Sequence, residues 1–392
     1  MGIGSALGGQ LTAIRETTWA TPLTPTRGLE IDDETLDYKK NTKQADGIRA
    51  GGRVPRSIRR VPTTVGAAGD IVCAVPTRGF GWWIESALGG TTVVTAGSNT
   101  TLGSSPAAGA TTITTGASVA VGDILTIDSG GANPEIRVVL ANAGTTPTIA
   151  ALTYAHTSGA SPLLVNGGSS GYVQKHLYSD GVTLKSFTIQ KGVPELGGTV
   201  VPYTFNGCKV DKLELSCKAD DLLMAKISVD GQNANTTTSL ATATYTATSN
   251  VFSFVSGQIA VDGVVCAEVC DFTLTIDNKL KTALDHLSAG GLKAEQTQGD
   301  WAAISGTFTV DFYTTVFTSK FFSDATASIV LCFSSGTGEA ISITMQTVKY
   351  DDASPNLKNG DTVQYPVNFV CLDPGTGTAP LAINLVSADS AV

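Results

Sequence analysis

A mainly β fold is predicted by three features of this 392-residue chain. Apolar and polar residues alternate with period two over most of its length. Forty-three glycines, with abundant Thr, Ser and Ala, break that alternation into short runs. Only two segments, both short, carry a helical pattern. The plainest alternation is Val210, Leu213, Leu215 and Cys217, which reaches an Asp220-Asp221 turn and resumes as Met224, Ile227 and Val229. That is a half-buried β-hairpin.

Hydrophobic residues at 42 % give material for real cores, and the length suits two or three domains. Charged residues make up only 15 %, against about 25 % in an average soluble domain. Low charge of this kind suits a surface partly covered by other protein. The net charge of −9 and a pI near 4.8 disfavour tight nucleic-acid binding, which depends on neutralising phosphates. Met1-Gly2-Ile3-Gly4 lacks the basic and apolar stretches of a signal peptide, and Ala6 stands where myristoylation wants Ser or Thr. No apolar run nears the roughly 20 residues that span a bilayer. Synthesis in a cytosol without membrane insertion is expected. Cys73, Cys208, Cys217, Cys266, Cys270, Cys332 and Cys371 are an odd count without metal-ligand spacing. Cys266 and Cys270, four apart, are expected on one side of a strand. Buried reduced thiols are the plain reading for all of these.

Residues 1–28 read as an extended arm with one strand near Gln10–Glu16 and Trp19 isolated among turn formers. Glu30, Asp32, Asp33, Glu34 and Asp37 then form an acidic block. Lys39, Lys40, Lys43, Arg49, Arg53, Arg56, Arg59 and Arg60 follow, opposed only by Asp46. Gly47, Gly51, Gly52 and Pro55 make this basic half a long loop between two strands. The loop is either simply solvated or an electrostatic contact to a neighbouring subunit, with opposite patches setting head-to-tail register. A strand Thr63–Val75 leads to Pro76, and Phe80–Leu88 forms a short helix ended by Gly89-Gly90. Trp82 and Trp83 read as helix-to-sheet packing rather than a ligand platform.

From Thr91 to Ser170 the composition turns to Ala, Gly, Thr and Ser with hardly any charge. Thr111–Thr114, Ile124–Ile127, Ile136–Leu140 and Thr148–Leu152 read there as short strands. Together they suggest a small β-barrel or sandwich inserted between the linkers Thr95–Ala110 and Asn166–Gly171. Strands resume at Thr183–Gln190, Cys208–Lys218, Leu223–Asp230 and Val269–Ile276. The last set is Ile304–Tyr313, Ala327–Phe333, Ile341–Val348, Thr362–Cys371 and Leu381–Leu385. Asp277–His286 is the second helix candidate.

Catalytic chemistry is nearly absent from the sequence. Gly167-Gly168-Ser169-Ser170-Gly171 matches G-x-S-x-G, but a nucleophile elbow needs a strand feeding a helix, and a glycine-serine linker would not hold Ser169 still. His156, His176 and His286 are far apart and lack metal-ligand spacing, so no metal and no cofactor is expected. Neither a phosphate-binding loop nor a dinucleotide fingerprint is present. Asn99-Thr100-Thr101 and Asn235-Thr236-Thr237 are glycosylation sequons without an export signal. The catalytic set is therefore empty, and the chain is read as a non-enzyme.

The order of elements is more telling. Ile14-Arg15-Glu16-Thr17-Thr18-Trp19-Ala20-Thr21-Pro22 leads into the acidic strand and the basic loop. Ser186-Phe187-Thr188-Ile189 and Tyr203-Thr204-Phe205-Asn206-Gly207-Cys208-Lys209-Val210 follow the central segment. Phe272-Thr273-Leu274-Thr275-Ile276-Asp277-Asn278 and Gly306-Thr307-Phe308-Thr309-Val310-Asp311-Phe312 come later. Across about residues 1–90 and 172–392 this order resembles the major tail, or tail-tube, proteins of long-tailed, siphovirus-like bacteriophages. The resemblance implies a tail-tube β-sandwich with a short flanking helix and long hairpins, in two parts (1–90 and 172–392). Residues 91–171 would be a small inserted β-domain on the tube exterior. It further implies stacked hexameric rings that serve as the conduit for DNA ejection. Partners would be other copies and the tape-measure, tail-terminator and tail-tip proteins, in a virion assembled from host-cytoplasmic protein. DNA would pass the lumen without sequence-specific binding. By the same resemblance, Lys39–Arg60 contacts the next ring. Cys208–Asp230 is the first candidate for the lumen hairpin, its outward face carrying Lys212, Glu214 and Lys218. The rival readings are a capsid-decoration or tail-tip protein, a cell-surface glycan-binding β-module, and a hydrolase using Ser169.

Overall fold

The computed structural model describes residues 5–90, 92–160, 162–178, 184–247, 249–283, 285–287, 290–335, 338–355, 357 and 362–392. It is mainly β, built of antiparallel strand pairs. One sheet runs, in spatial order, through Asp37–Gln44, Arg60–Ala74, Met224–Gly231, the second half of Val200–Lys218, Asp271–Asp277, Ala303–Asp311 and Gln364–Cys371. A second runs through Thr92–Ala96, Tyr172–Leu177, Leu381–Ser387, the first half of Ala340–Asp352, Ala327–Ser334 and Gly257–Val261. Ile71, Leu213, Ile227, Leu274 and Phe308 of the first sheet share one hydrophobic cluster with Leu331, Phe333, Ile343 and Leu385 of the second. The result is a β-sandwich.

Two long strands join its parts. Ala340–Asp352 pairs with Leu381–Ser387 through its first half and with Gln364–Cys371 near its end, where the register shifts between Tyr350 and Asp352. Val200–Lys218 spans 19 residues. Its first half pairs with Phe187–Pro194, which continues to the arm strand Gln10–Arg15. Its second half enters the first sheet. Between the halves lies Gly207 at φ 63°, where a Cβ would lie 3.1–3.3 Å from Gln232, Ala20 and Trp19. Only glycine takes this crossing without strain.

The helix Gly81–Leu88 is buried along its whole length, and Gly89 closes it in the left-handed region with its N–H on the Glu85 carbonyl. Trp82 and Trp83 meet Phe187 edge-on, at 5.3 and 5.6 Å between ring centroids. The second helix is Val316–Ser323, not Asp277–His286. Past Asp277 the chain turns at Lys279 (φ 50°), and the Asn278 amide donates to the carbonyls of Ala87 and Val210. Val316–Ser323 has β-branched and aromatic residues and no side-chain N-cap. It is held by tertiary packing of Phe317 on Phe308 and Tyr350.

Between the two halves of the main fold lies a four-stranded sheet, ordered Ser98–Thr101, Pro162–Val165, Ile124–Ile127 and Glu135–Val138. Leu102, Ile113, Leu125, Ile149 and Leu163 form a cluster of their own there. Thr111–Thr114 and Thr148–Leu152, expected as strands, meet only through isolated bridges such as Thr112 to Thr148. The expected linkers are also structured, since Thr92–Ala96, Ser98–Thr101 and the 3-10 turn Gly168–Ser170 lie in or beside them.

Ile124, Val138 and Leu140 of this unit pack on Val173, Val330, Cys332, Ala340 and Val386, the outward face of the second sheet. That sheet is thus buried on both faces, which explains why Ala327–Ser334 reads as a nearly unbroken apolar run. The Gly122 carbonyl accepts from Ser342 Oγ (2.6 Å) and Asn384 Nδ2 (3.1 Å), seating the unit on buried polar groups. Five of the seven free cysteines are buried. Cys266 and Cys270 are half-buried and lie outside regular strands, against the expectation of a shared strand face.

Candidate assembly surfaces

The expected basic loop is largely a hairpin. Asp37–Gln44 pairs with Arg60–Ala68, so Lys39, Lys40, Lys43 and Arg60 lie on strands and only residues 45–59 form the tip. Loop signals dominate the sequence here because Asp37–Gln44 buries almost nothing and shows no apolar alternation. The hairpin is exposed on both faces along its outer half. Arg49, Arg53, Arg56 and Arg59 gather at the tip and make no ion pair among the described residues. Ile48, Val54 and Ile58 stand in solvent beside them. Residues 37–60 hold eight of the 25 cations and two of the 34 anions, a local charge of +6 that leaves −15 for the rest of the chain.

The first sheet presents an uncovered polar face. Lys212, Glu214 and Ser216 alternate with buried Leu213 and Leu215, and register places Glu214 between Lys226 and Thr275. Lys212, Glu214 and Lys218 therefore share one outward face, and Lys218 lies at its exposed end. Ser228, Thr273, Ser305 and Thr307 fill much of the remainder. Its charges are cross-paired, with Lys226 3.1 Å from Asp70 and Lys212 3.3 Å from Asp277. Burial pushes the Asp70 carboxyl up, but hydrogen bonds from Ser228 and Lys226 outweigh it and hold the group below its ordinary value. Asp277 is likewise raised by burial and lowered further by Lys279 and Lys212.

A buried polar cluster, not singled out from the sequence, fixes the frame behind these surfaces. The Glu16 carboxylate accepts from the backbone N–H of Ala20 and Gly207 (both 2.9 Å), Ser186 Oγ (2.8 Å) and Thr188 Oγ1 (2.9 Å). It ties the arm to the crossing of Val200–Lys218. Nearby, fully buried Lys209 donates to Glu295 (2.7 Å) and the Gln296 carbonyl (2.9 Å). Lys293 meets Asp230 at 2.6 Å; burial raises Asp230 above its ordinary value, and Lys293 and Gln296 partly offset this. Single carboxylates and lysines carry no spacing signal, so only tertiary structure shows such a cluster.

The literal nucleophile motif lies in a turn fastened by Asn99. Ser169 sits in an ordered 3-10 turn rather than a loose linker, its N–H donating to Asn99 Oδ1 (2.8 Å) and its Oγ accepting from Asn99 Nδ2 (3.1 Å). The three histidines stay apart. His156 meets Glu135 (3.0 Å), His176 meets Thr92 (3.0 Å), and His286 is exposed. Among the described residues no cluster of His, Cys, Asp or Glu is arranged to hold a metal ion, and no helix is long and apolar enough to cross a membrane.

A sandwich with one sealed outer face, one uncovered polar face and a basic hairpin reaching past its own core defines a structural assembly subunit. The chain belongs to the phage tail tube protein family, whose profile matches residues 7–371. No curated protein matches it. It is a structural component of a phage tail, and membership implies association with itself and with other tail components in general.

Proposed function

We propose that copies of this protein close into six-membered rings that stack to form the tail tube, the channel through which the genome leaves the particle. The observation that carries this reading is the hairpin Asp37–Gln44/Arg60–Ala68. A two-stranded ribbon exposed on both faces has little stability alone, and its outer strand leaves a sheet edge open. Neighbouring copies complete that edge, and ring closure removes it. The uncovered face with Lys212, Glu214 and Lys218 lines the bore. Its cross-paired charges offer phosphate no cationic track, and the −15 outside the hairpin repels DNA.

In this assembly residues 1–90 and 172–392 make the tube wall. Residues 91–171 are an inserted domain facing outward, a placement supported by their seat on the sheet opposite the polar face. The basic residues from Lys39 to Arg60 contact the adjoining ring. The tape-measure, terminator and tip proteins meet the tube at its bore and ends, and the protein is made in the host cytoplasm before entering the virion. The test is Arg53→Glu with Arg56→Glu. The monomer should stay folded and give no extended tubes by negative-stain microscopy; tubes of normal length would refute the role of the hairpin.

A further inference from the structure

The hairpin tip combines exposed aliphatic side chains with arginines that make no ion pair among the described residues. A surface that receives it must offer an apolar floor and free carboxylates. A groove of about 500 Å³ has both, with accessible Leu7, Ile31 and Val193 in its lining beside Glu30, Asp32 and Asp33. These three acids are exposed and make no ion pair among the described residues, whereas neighbouring Glu34 is held by Lys191 at 3.0 Å.

The groove and the tip sit at opposite ends of one strand. Asp32 N–H donates to the Val72 carbonyl at 2.9 Å, and Asp33 pairs with Val72. The tip departs from the same strand at Arg60. The intervening residues span about 40 Å at ~3.3 Å each, so the tip does not reach its own groove. Complementary surfaces at opposite ends of a subunit make a heterologous, head-to-tail contact, which repeats without closing.

We propose that the groove rimmed by Glu30, Asp32 and Asp33 receives the hairpin tip of a copy in the adjoining ring. Arg53 and Arg56 face the carboxylates, and Ile48, Val54 and Ile58 cover the apolar floor. This assignment rests on the stacked-ring reading and adds the receiving surface to it. Charge complementarity also sets polarity, because tip against tip and groove against groove are both repulsive.

The full-length chain is compared in four forms: wild type, Arg53→Glu/Arg56→Glu, Asp32→Arg/Asp33→Arg, and the combination of all four substitutions. Circular dichroism and thermal melting check folding, and negative-stain microscopy with sedimentation measures tubes. Each charge-reversed pair should lower tube yield at least tenfold, and the combination should restore it. Absence of tubes from the wild-type chain defeats the stacked-ring reading together with the groove, whereas wild-type yield from the tip variant refutes the hairpin's part in stacking and the groove with it. Loss of tubes from the tip variant, with normal yield from the groove variant or no recovery in the combination, overturns the groove alone. A second measurement is independent of whether the groove variant folds. Tubes of the Arg53→Lys chain are treated with a zero-length carbodiimide and the linked peptides read by mass spectrometry. A link from position 53 to residues 30–33 must join two copies, given the separation within one chain. Links solely to other carboxylates overturn the assignment.

Discussion

Replacing Glu16 with alanine removes the acceptor for four donors at the place where the arm, Phe187–Pro194 and the crossing of Val200–Lys218 converge. Glu16 is only 7 % exposed. The hydroxyls of Ser186 and Thr188 can rotate to other acceptors, but the N–H groups of Ala20 and Gly207 are fixed by backbone in the left-handed region. A buried donor left unmade costs about 1–3 kcal/mol, so the two amides alone give roughly 2–6 kcal/mol. That is a large part of the ~5–15 kcal/mol that holds a typical fold. Glu16→Gln keeps the side-chain volume but turns an NH2 toward two of the donors, and an intermediate loss of about 2–3 kcal/mol is expected. Urea unfolding of dilute protein, followed by tryptophan fluorescence, measures both variants. Glu30→Ala, on the exposed surface, serves as a control expected within about 0.5 kcal/mol of wild type. A Glu16→Ala protein within ~1 kcal/mol of wild type would refute the claim that this carboxylate fastens the crossing.

Two further outcomes follow from buried groups. Burial lowers the His176 pKa from 6.5 to about 4, with Glu85 partly opposing it. Its stabilising contribution is therefore complete above pH 6.5 and is lost as pH falls toward about 4, an effect of at most roughly 3 kcal/mol. Urea unfolding across that range should show a shallower pH dependence for His176→Gln than for wild type, and equal slopes would contradict the neutral buried imidazole. At Gly306 a Cβ would lie 2.3 Å from the Phe369 ring and 2.6 Å from the Thr273 carbonyl. Gly306→Ala must push two paired strands apart and should cost about 1–3 kcal/mol by the same assay; an unchanged midpoint would show that the ring moves freely.

Strands that bury one face were legible in the sequence. Leu213, Leu215 and Cys217 alternate with Lys212, Glu214 and Ser216 because one side meets the core and the other does not. The first half of Val200–Lys218 escaped the predicted strand Cys208–Lys218; it holds Pro202 and Gly207, residue types that weaken a strand, although one sits opposite Gly192 and the other makes the crossing. Asp37–Gln44 escaped for the opposite reason: it pairs through backbone and polar side chains such as Asn41 on Thr64, and offers no apolar period. Val316–Ser323 has local preferences closer to a strand and becomes helical by packing Phe317 under its neighbours. The charge reversal from Glu30 to Arg60 was visible at once. Its separation into a groove at one end of a strand and a tip at the other depends on register, which no run of letters displays.

The most direct measurement is electron cryomicroscopy of the concentrated wild-type protein alone. The account predicts hollow tubes whose subunits continue one another's sheets, with Lys212 and Glu214 facing the bore. A homogeneous population of single copies at every concentration would contradict it.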